Sequence, residues 1–193
     1  MPSSFDAARE IERRSVEILE PLLERQSGGR FVFTDKGRLA KEIQAKYGDV
    51  LMQSLKEGGA LKALELKAER EKTGNFFLEL FSNGSRYKLG WMWSNEADLL
   101  LYHFLDADEL YIIDMPRLKR WFWFGETWVC KNGVARRERG PVVTPGFSSY
   151  RCVPQRRFEQ RNDTWGVLAD IHAVRKWVGA AIIQPQGLFR EAA

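Results

Sequence analysis

Residues 48–69 read GDVLMQSLKEGGALKALELKAE, and this stretch decides both the fold and the candidate site. Its first part is a short apolar run headed by Asp49, and the Gly58-Gly59 pair is typical of a turn. Its second part, residues 60–69, has the composition of a strand. The stretch therefore predicts two antiparallel strands in a hairpin, which brings Asp49 near Glu65.

Side chains alternate across a strand, so Glu65 and Lys67 share one face while Leu64 and Leu66 occupy the other. Glu42 lies at the edge of the apolar stripe of a helix predicted just before the hairpin, and it leans toward the sheet. An alternative places Glu65 and Lys67 in solvent, on the polar face of a half-covered sheet.

Clustered carboxylates repel each other and are costly to bury unless a cation neutralises them. Oxygen ligands suit Mg²⁺ or Mn²⁺, and Mg²⁺ usually keeps several waters and takes further ligands from substrate phosphates. A lysine beside such a metal can orient or deprotonate a water, or stabilise charge on a phosphate. The pattern thus predicts metal-assisted hydrolysis of a phosphodiester.

Outward from the hairpin, periodicity and turn residues predict the remaining elements. The helices are expected at residues 5–25, 36–47, 94–104 and 116–123, and the further strands at 31–33, 75–82 and 110–114. Strand 75–82 would complete an antiparallel meander with the hairpin. Beyond residue 124 the signal is weaker, with a strand at 151–154 and a helix-like stripe over 163–178.

Asp49, fifteen intervening residues and Glu65-Leu66-Lys67, on helix–strand–strand–strand–helix–strand, resemble the PD-(D/E)XK superfamily, which has the restriction-endonuclease-like fold. The resemblance covers roughly residues 34–116. Gly48 stands where the family's name has a proline. The fold class it implies is α/β, a mixed central β-sheet flanked by helices, with an αβββαβ core and N- and C-terminal elaborations.

The resemblance also implies roles for individual residues. Asp49 and Glu65 would bind the metal, Lys67 would serve catalysis, and Glu42 would occupy the place of an extra glutamate that junction resolvases carry. The implied cofactor is Mg²⁺, for which Mn²⁺ can substitute.

Three downstream segments resemble a phage-type variant of that fold, namely residues 73–79 (TGNFFLE), Gly90-Trp91 and Ala97-Asp98. Glu79 shares a strand face with Phe77 and Phe81. Two interpretations of Glu79 are open: an additional metal or water ligand, and a paired buried acid.

Charge is unevenly distributed along the chain. Residues 1–116 hold 16 basic and 20 acidic side chains, whereas residues 117–161 hold 11 basic and 3 acidic ones, a net charge of +8. Cations neutralise phosphates, and the tryptophans of this basic segment can stack on bases, so the segment predicts a DNA-binding surface. The candidate contacts are Arg117, Lys119, Arg120, Arg136, Arg137, Arg139, Arg156 and Arg157.

Composition excludes several classes of protein. Two cysteines and two histidines are too few for a disulfide framework or a histidine-rich metal site. No run approaches the roughly 18 apolar residues of a membrane helix, and the charged N-terminus is unlike a signal peptide. The expectation is a soluble, cytoplasmic protein with no membrane partner.

The sequence therefore predicts one domain over residues 1–193, with a core at about 34–124 and a basic elaboration at 125–193. Its expected function is a Mg²⁺-dependent nuclease that hydrolyses DNA. Two alternatives stay open: a non-catalytic nucleic-acid-binding module on the same fold, and a phage or mobile-element factor that binds a host protein. The oligomeric state is also open, with a homodimer as one form, because cutting two strands often needs two active sites.

Overall fold

The computed structural model describes residues 4–35, 40–55, 58–83, 86, 88–124, 126–131, 134–139, 156–161 and 164–187. The chain divides into two compact units. The first unit comprises residues 1–73, 96–112 and 181–193, and the second comprises residues 74–95 and 113–180.

Seventeen elements make up the described chain. The helices are α1 (Ser4–Ser27), α2 (Ala40–Tyr47), α3 (Trp91–Ser94), α4 (Met115–Phe124) and α5 (Ile171–Trp177). The strands are β1 (Phe31–Phe33), β2 (Val50–Gln53), β3 (Leu61–Glu69), β4 (Asn75–Asn83), β5 (Lys88–Leu89), β6 (Leu99–Phe104), β7 (Glu109–Asp114), β8 (Glu126–Lys131), β9 (Val134–Arg139), β10 (Arg156–Arg161), β11 (Thr164–Asp170) and β12 (Ala180–Ile183).

The first unit contains most of a six-stranded sheet, whose strands have the order β1-β2-β3-β6-β7-β12. The β2–β3 pair is antiparallel with Val50 opposite Leu64, whereas β3 and β6 are parallel with Leu64 opposite Leu99. The fold class is thus confirmed as mixed α/β, with a mixed central sheet flanked by helices. The predicted hairpin is confirmed as well.

Helix α1 covers one face of this sheet through an apolar stripe. Leu19, Leu22 and Leu23 are buried against Val50 and Leu64 of the hairpin. Burying each such side chain stabilises the fold by roughly 1.5–3 kcal/mol. Because Leu64 faces α1, alternation turns Glu65 toward the opposite face.

The helix predicted over residues 94–104 is wrong, because this segment forms strand β6. Five consecutive side chains, Leu100 to Phe104, are buried. A strand inside a parallel pairing is covered on both faces, so its sequence is a continuous apolar run without the alternation of a half-exposed strand. Such a run also satisfies helical spacing.

The predicted three-stranded meander is wrong in its third member. Strand β4 lies in a four-stranded sheet of the second unit with the order β10-β11-β4-β5, so both of its edges are already paired. A separate hairpin pairs β8 with β9.

The helix expected over residues 163–178 is wrong in its first half, because residues 164–170 form strand β11. Its second half is confirmed, because residues 171–177 form helix α5. Only glycine fits at residue 166 of β11, because a Cβ there would come within 2.6 Å of the Phe77 ring. Asp170 begins α5, and its carboxylate accepts a hydrogen bond from the Ala173 N–H. The strand expected at 151–154 lies outside the described residues.

Helix α1 is also joined to the sheet by a buried polar contact, with the Ser15 hydroxyl 2.9 Å from His103 Nδ1. His103 Nε2 has no hydrogen-bond partner among the residues that the structure describes. Burial lowers the pKa of His103 from 6.5 to about 4, although the charge of Asp108 acts in the opposite direction.

We expect stability to depend on pH through His103. Above pH 6.5 the ring is neutral in both the folded and unfolded states. As the pH falls from 6.5 to about 4, the unfolded chain takes up a proton that the folded chain does not, so up to about 3 kcal/mol of stability is lost. Between pH 6.5 and about 4, the His103→Gln variant should lose less free energy of unfolding than wild type, as measured by urea unfolding. The control variant is His172→Gln, because His172 is exposed. Equal losses in both variants would contradict this account.

Candidate functional site

The candidate site begins where α2 ends, at Gly48. Gly48 has a φ of +87°, and its N–H donates to the Gln44 carbonyl, so a residue in the left-handed region ends the helix. A Cβ at this position would lie 2.5 Å from the Leu64 carbonyl oxygen. The backbone before Asp49 is therefore pressed directly against strand β3.

Asp49 continues the pairing of β2 with β3, partly through its side chain. Its N–H donates to the Leu64 carbonyl (2.8 Å), and its Oδ2 accepts from the Leu66 N–H (2.7 Å). Its other oxygen, Oδ1, accepts from Gln44 Nε2 (2.7 Å). The carboxylate is thus fixed at the edge of β3, between the sheet and α2.

Glu65 and Lys67 form an ion pair, with 2.5 Å between Glu65 Oε1 and Lys67 Nζ. The Glu65 side chain is 5% exposed and that of Lys67 is 30% exposed. The alternative that placed both residues in solvent is wrong for Glu65. A buried carboxylate needs a counter-charge, and Lys67 supplies one while reaching toward solvent.

Asp49 and Lys67 both line a cavity of about 440 Å³ in the first unit, whose wall also includes residues of α1. Among the residues that the structure describes, the charged lining comprises four carboxylates and three cations, namely Glu12, Glu17, Asp35, Asp49, Arg9, Arg13 and Lys67. Carboxylates that share a cavity repel each other, and a cation beside them relieves that repulsion.

Of the predicted ligands, Glu42 and Glu79 are not brought to this cavity by the described contacts. Glu42 is exposed on α2 and is not among the described lining residues, whereas Gln44 of the same helix reaches Asp49. Glu79 lies on β4 in the second unit, in a different sheet from Glu65. Their roles as ligands stay predictions.

The sequence pattern did not identify Gln44 as a site residue, because Gln44 carries no charge. The sequence contains one signal for this contact. Gln44 lies four residues before Gly48, so its side chain can extend along the helix toward the residue that follows Gly48. Across the described part of the chain, no grouping of three or more His, Cys, Asp or Glu side chains could hold a metal ion.

The candidate DNA contacts divide into two groups. Of those on α4, Arg120 is exposed, Lys119 Nζ donates to the Asn95 carbonyl, and the Arg117 N–H donates to Asp114 Oδ1. The backbones of the remaining five lie in β9 and β10, but their side chains lie outside what the structure describes. Those five are Arg136, Arg137, Arg139, Arg156 and Arg157.

Comparison with known proteins gives no relative: no protein-family model, no curated protein and no solved structure matches this chain. Within the described residues, the helices are all too short or too polar to cross a lipid bilayer.

Proposed function

We propose that this protein is a metal-dependent nuclease that hydrolyses DNA phosphodiester bonds with Mg²⁺ as cofactor. The observation that carries the proposal is that Asp49 accepts a hydrogen bond from Leu66, the residue between the ion-paired Glu65 and Lys67, and lines the same cavity as Lys67. Asp49, Glu65 and Lys67 also carry the resemblance to the PD-(D/E)XK superfamily, which remains part of the proposal together with a phage-type origin and a cytoplasmic location.

The donor set fits a hard divalent cation. Mg²⁺ is typically held by one or two carboxylates, with waters and substrate phosphates completing its shell, so a grouping of three acidic residues is not required. Each Asp49 oxygen accepts one described hydrogen bond, and a carboxylate oxygen has two lone pairs, so both can accept a further partner. Asp49 can therefore hold the metal, and Glu65 is the second ligand that the resemblance implies.

The chain's own groups then have distinct tasks. A bound Mg²⁺ would supply Lewis-acid chemistry, which polarises the phosphodiester and favours a hydroxide nucleophile. Lys67 has three N–H donors, so it can keep its contact with Glu65 while a second donor orients the attacking water or contacts a phosphate oxygen. Gln44 and the Leu66 N–H hold Asp49 in one orientation.

A second candidate is a non-catalytic DNA-binding module. One observation favours it: both Asp49 oxygens already accept hydrogen bonds from the chain, which is sufficient for a structural role at the edge of β3. The third candidate, a factor that binds a host protein, gains no support from a described contact.

Calorimetric titration with Mn²⁺ separates these candidates. Mn²⁺ is the better probe because Mg²⁺ binds weakly without substrate phosphate. We expect the Asp49→Asn/Glu65→Gln variant to lose at least about 100-fold in Mn²⁺ affinity, since loss of a residue that only orients a metal ligand already costs about 10- to 100-fold. The matched control is Glu71→Gln/Asp106→Asn, which removes two exposed carboxylates.

Cleavage is then measured with Mg²⁺ on single-stranded, duplex and branched DNA. The proposal requires cutting by wild type and the control, and no cutting by the Asp49→Asn/Glu65→Gln variant. Identical Mn²⁺ titrations for all three proteins would overturn the metal site. DNA binding without metal-dependent cutting would establish the second candidate. If a duplex is cut in both strands, a homodimer becomes part of the proposal.

A further inference from the structure

Two tryptophans from different helices of the second unit stack on each other. The ring centroids of Trp93 (α3) and Trp123 (α4) lie 4.0 Å apart, with 35° between the ring planes. Phe122 packs edge-on against Trp123, with a centroid distance of 4.6 Å. The three rings form a continuous aromatic cluster.

This cluster is open to solvent on one side. Trp93 is 44% exposed, and Phe124, the residue after Trp123, is 56% exposed. Large aromatic side chains contribute most to stability when buried, so an exposed group of them at one place indicates a binding surface. We call Trp93, Trp123 and Phe124 the aromatic platform.

The platform is held in place from behind. Leu118, Trp121 and Phe122 are buried and anchor α4 in the second unit. Lys119 Nζ donates to the carbonyl of Asn95, the residue that ends α3, and so ties the two helices together. A surface fixed in this way loses little conformational entropy when a ligand stacks on it.

The charged residues of α4 itself have one sign. Helix α4 reads MPRLKRWFWF, with three basic residues and no acidic one. Arg120 is exposed and lies three residues before Trp123 and four before Phe124, which places it next to both on the helix surface. An aromatic surface with an adjacent cation suits a ligand that has flat rings and negative charges.

We propose that the aromatic platform binds the unpaired bases of single-stranded DNA, with Arg120 contacting the phosphate backbone. Stacking on an aromatic side chain requires an accessible base face, and in a duplex the neighbouring base pairs cover those faces. The platform therefore discriminates between the two forms of DNA. Since it names the substrate of the proposed nuclease, the inference rests on that function, although it concerns a different site.

The test measures binding separately from cleavage. Affinity for a fluorescent 20-nucleotide oligothymidine and for a duplex of equal length is measured by anisotropy, with EDTA present and in the Asp49→Asn/Glu65→Gln background. We expect preference for the single strand, and about 10-fold weaker single-strand binding in Trp93→Ala. Trp93→Phe should recover most of the affinity because it retains a stacking ring.

The control is Trp177→Ala, because Trp177 also lies beside a cation, Lys176, but on α5. It should bind the single strand as the background protein does. Equal loss in Trp177→Ala, or unchanged binding in Trp93→Ala, would overturn the platform. The platform would also be overturned if sedimentation showed that the protein self-associates and that Trp93→Ala loses this self-association but still binds DNA. Because no metal is present, loss of the nuclease proposal would leave these results unaffected.

Discussion

Replacing Lys67 with methionine is expected to abolish cleavage and to destabilise the protein. The rate should fall about 100-fold or more, because in the proposed function Lys67 is the group that orients water or contacts phosphate. The variant also leaves Glu65 buried without its counter-charge. Removing one partner of a buried ion pair costs about 3–5 kcal/mol, and the partial exposure of Lys67 places this case near the lower end.

The double variant Lys67→Met/Glu65→Gln separates the two effects. Because the double variant carries neither charge of this ion pair, most of the lost free energy of unfolding should return, while cleavage stays lost. Urea denaturation and a Mg²⁺-dependent cutting assay measure the two quantities. Normal cutting by Lys67→Met would refute the catalytic role, and a double variant as unstable as the single one would refute the ion-pair explanation.

Replacing Gly48 with alanine is expected to cost about 3 kcal/mol or more. Alanine at a φ of +87° is strained, and its Cβ would meet the Leu64 carbonyl, a backbone group that cannot move aside without disturbing β3. Relief of that clash would shift Asp49 away from Leu66 and Gln44. We therefore expect weaker Mn²⁺ binding in whatever fraction of the variant still folds.

Gly74→Ala is the matched control for this change. Gly74 has a φ of +86°, almost the same value, but a Cβ there would meet nothing within 4 Å. It should cost only the conformational penalty of about 1 kcal/mol. Thermal or urea unfolding of both variants gives the difference, and equal losses would show that the close approach to β3 contributes nothing.

The same geometry explains why glycine precedes Asp49. Proline is confined to a φ near −65° and has no N–H, whereas this position needs a positive φ and donates to the Gln44 carbonyl. A proline at residue 48 would therefore be incompatible with this end of α2. Glycine in place of proline at residue 48 is a consequence of how α2 ends.

Local sequence was sufficient where pairing is local. The hairpin of β2 and β3 follows from its alternation and its Gly58-Gly59 turn, and it places Asp49 against the strand that carries Glu65. The side-chain contacts were not predictable in the same way. The burial of Glu65 depends on cover from elements far away in sequence, and the contact of Gln44 with Asp49 depends on the turn at Gly48.

Sequence reasoning failed where pairing is long-range. Strand β6, which pairs in parallel with β3, is buried on both faces, and this removes the alternation by which a strand is recognised. Strand β4 was assigned correctly as a strand but to the wrong neighbours, because its partner β11 lies some 80 residues away in sequence. Periodicity identifies an element but contains no information about a distant partner.

The first unit has a consequence for the order of folding, because its last strand, β12, ends after the last segment of the second unit. During synthesis the ribosome must add Ile183 before the six-stranded sheet can be completed. By then every segment of the second unit has been made, so that unit can close first. Contacts between residues far apart in sequence also slow folding. The hairpin bearing Asp49 and Glu65 thus precedes the second unit along the chain, whereas the sheet around it can be completed only after the second unit has been made.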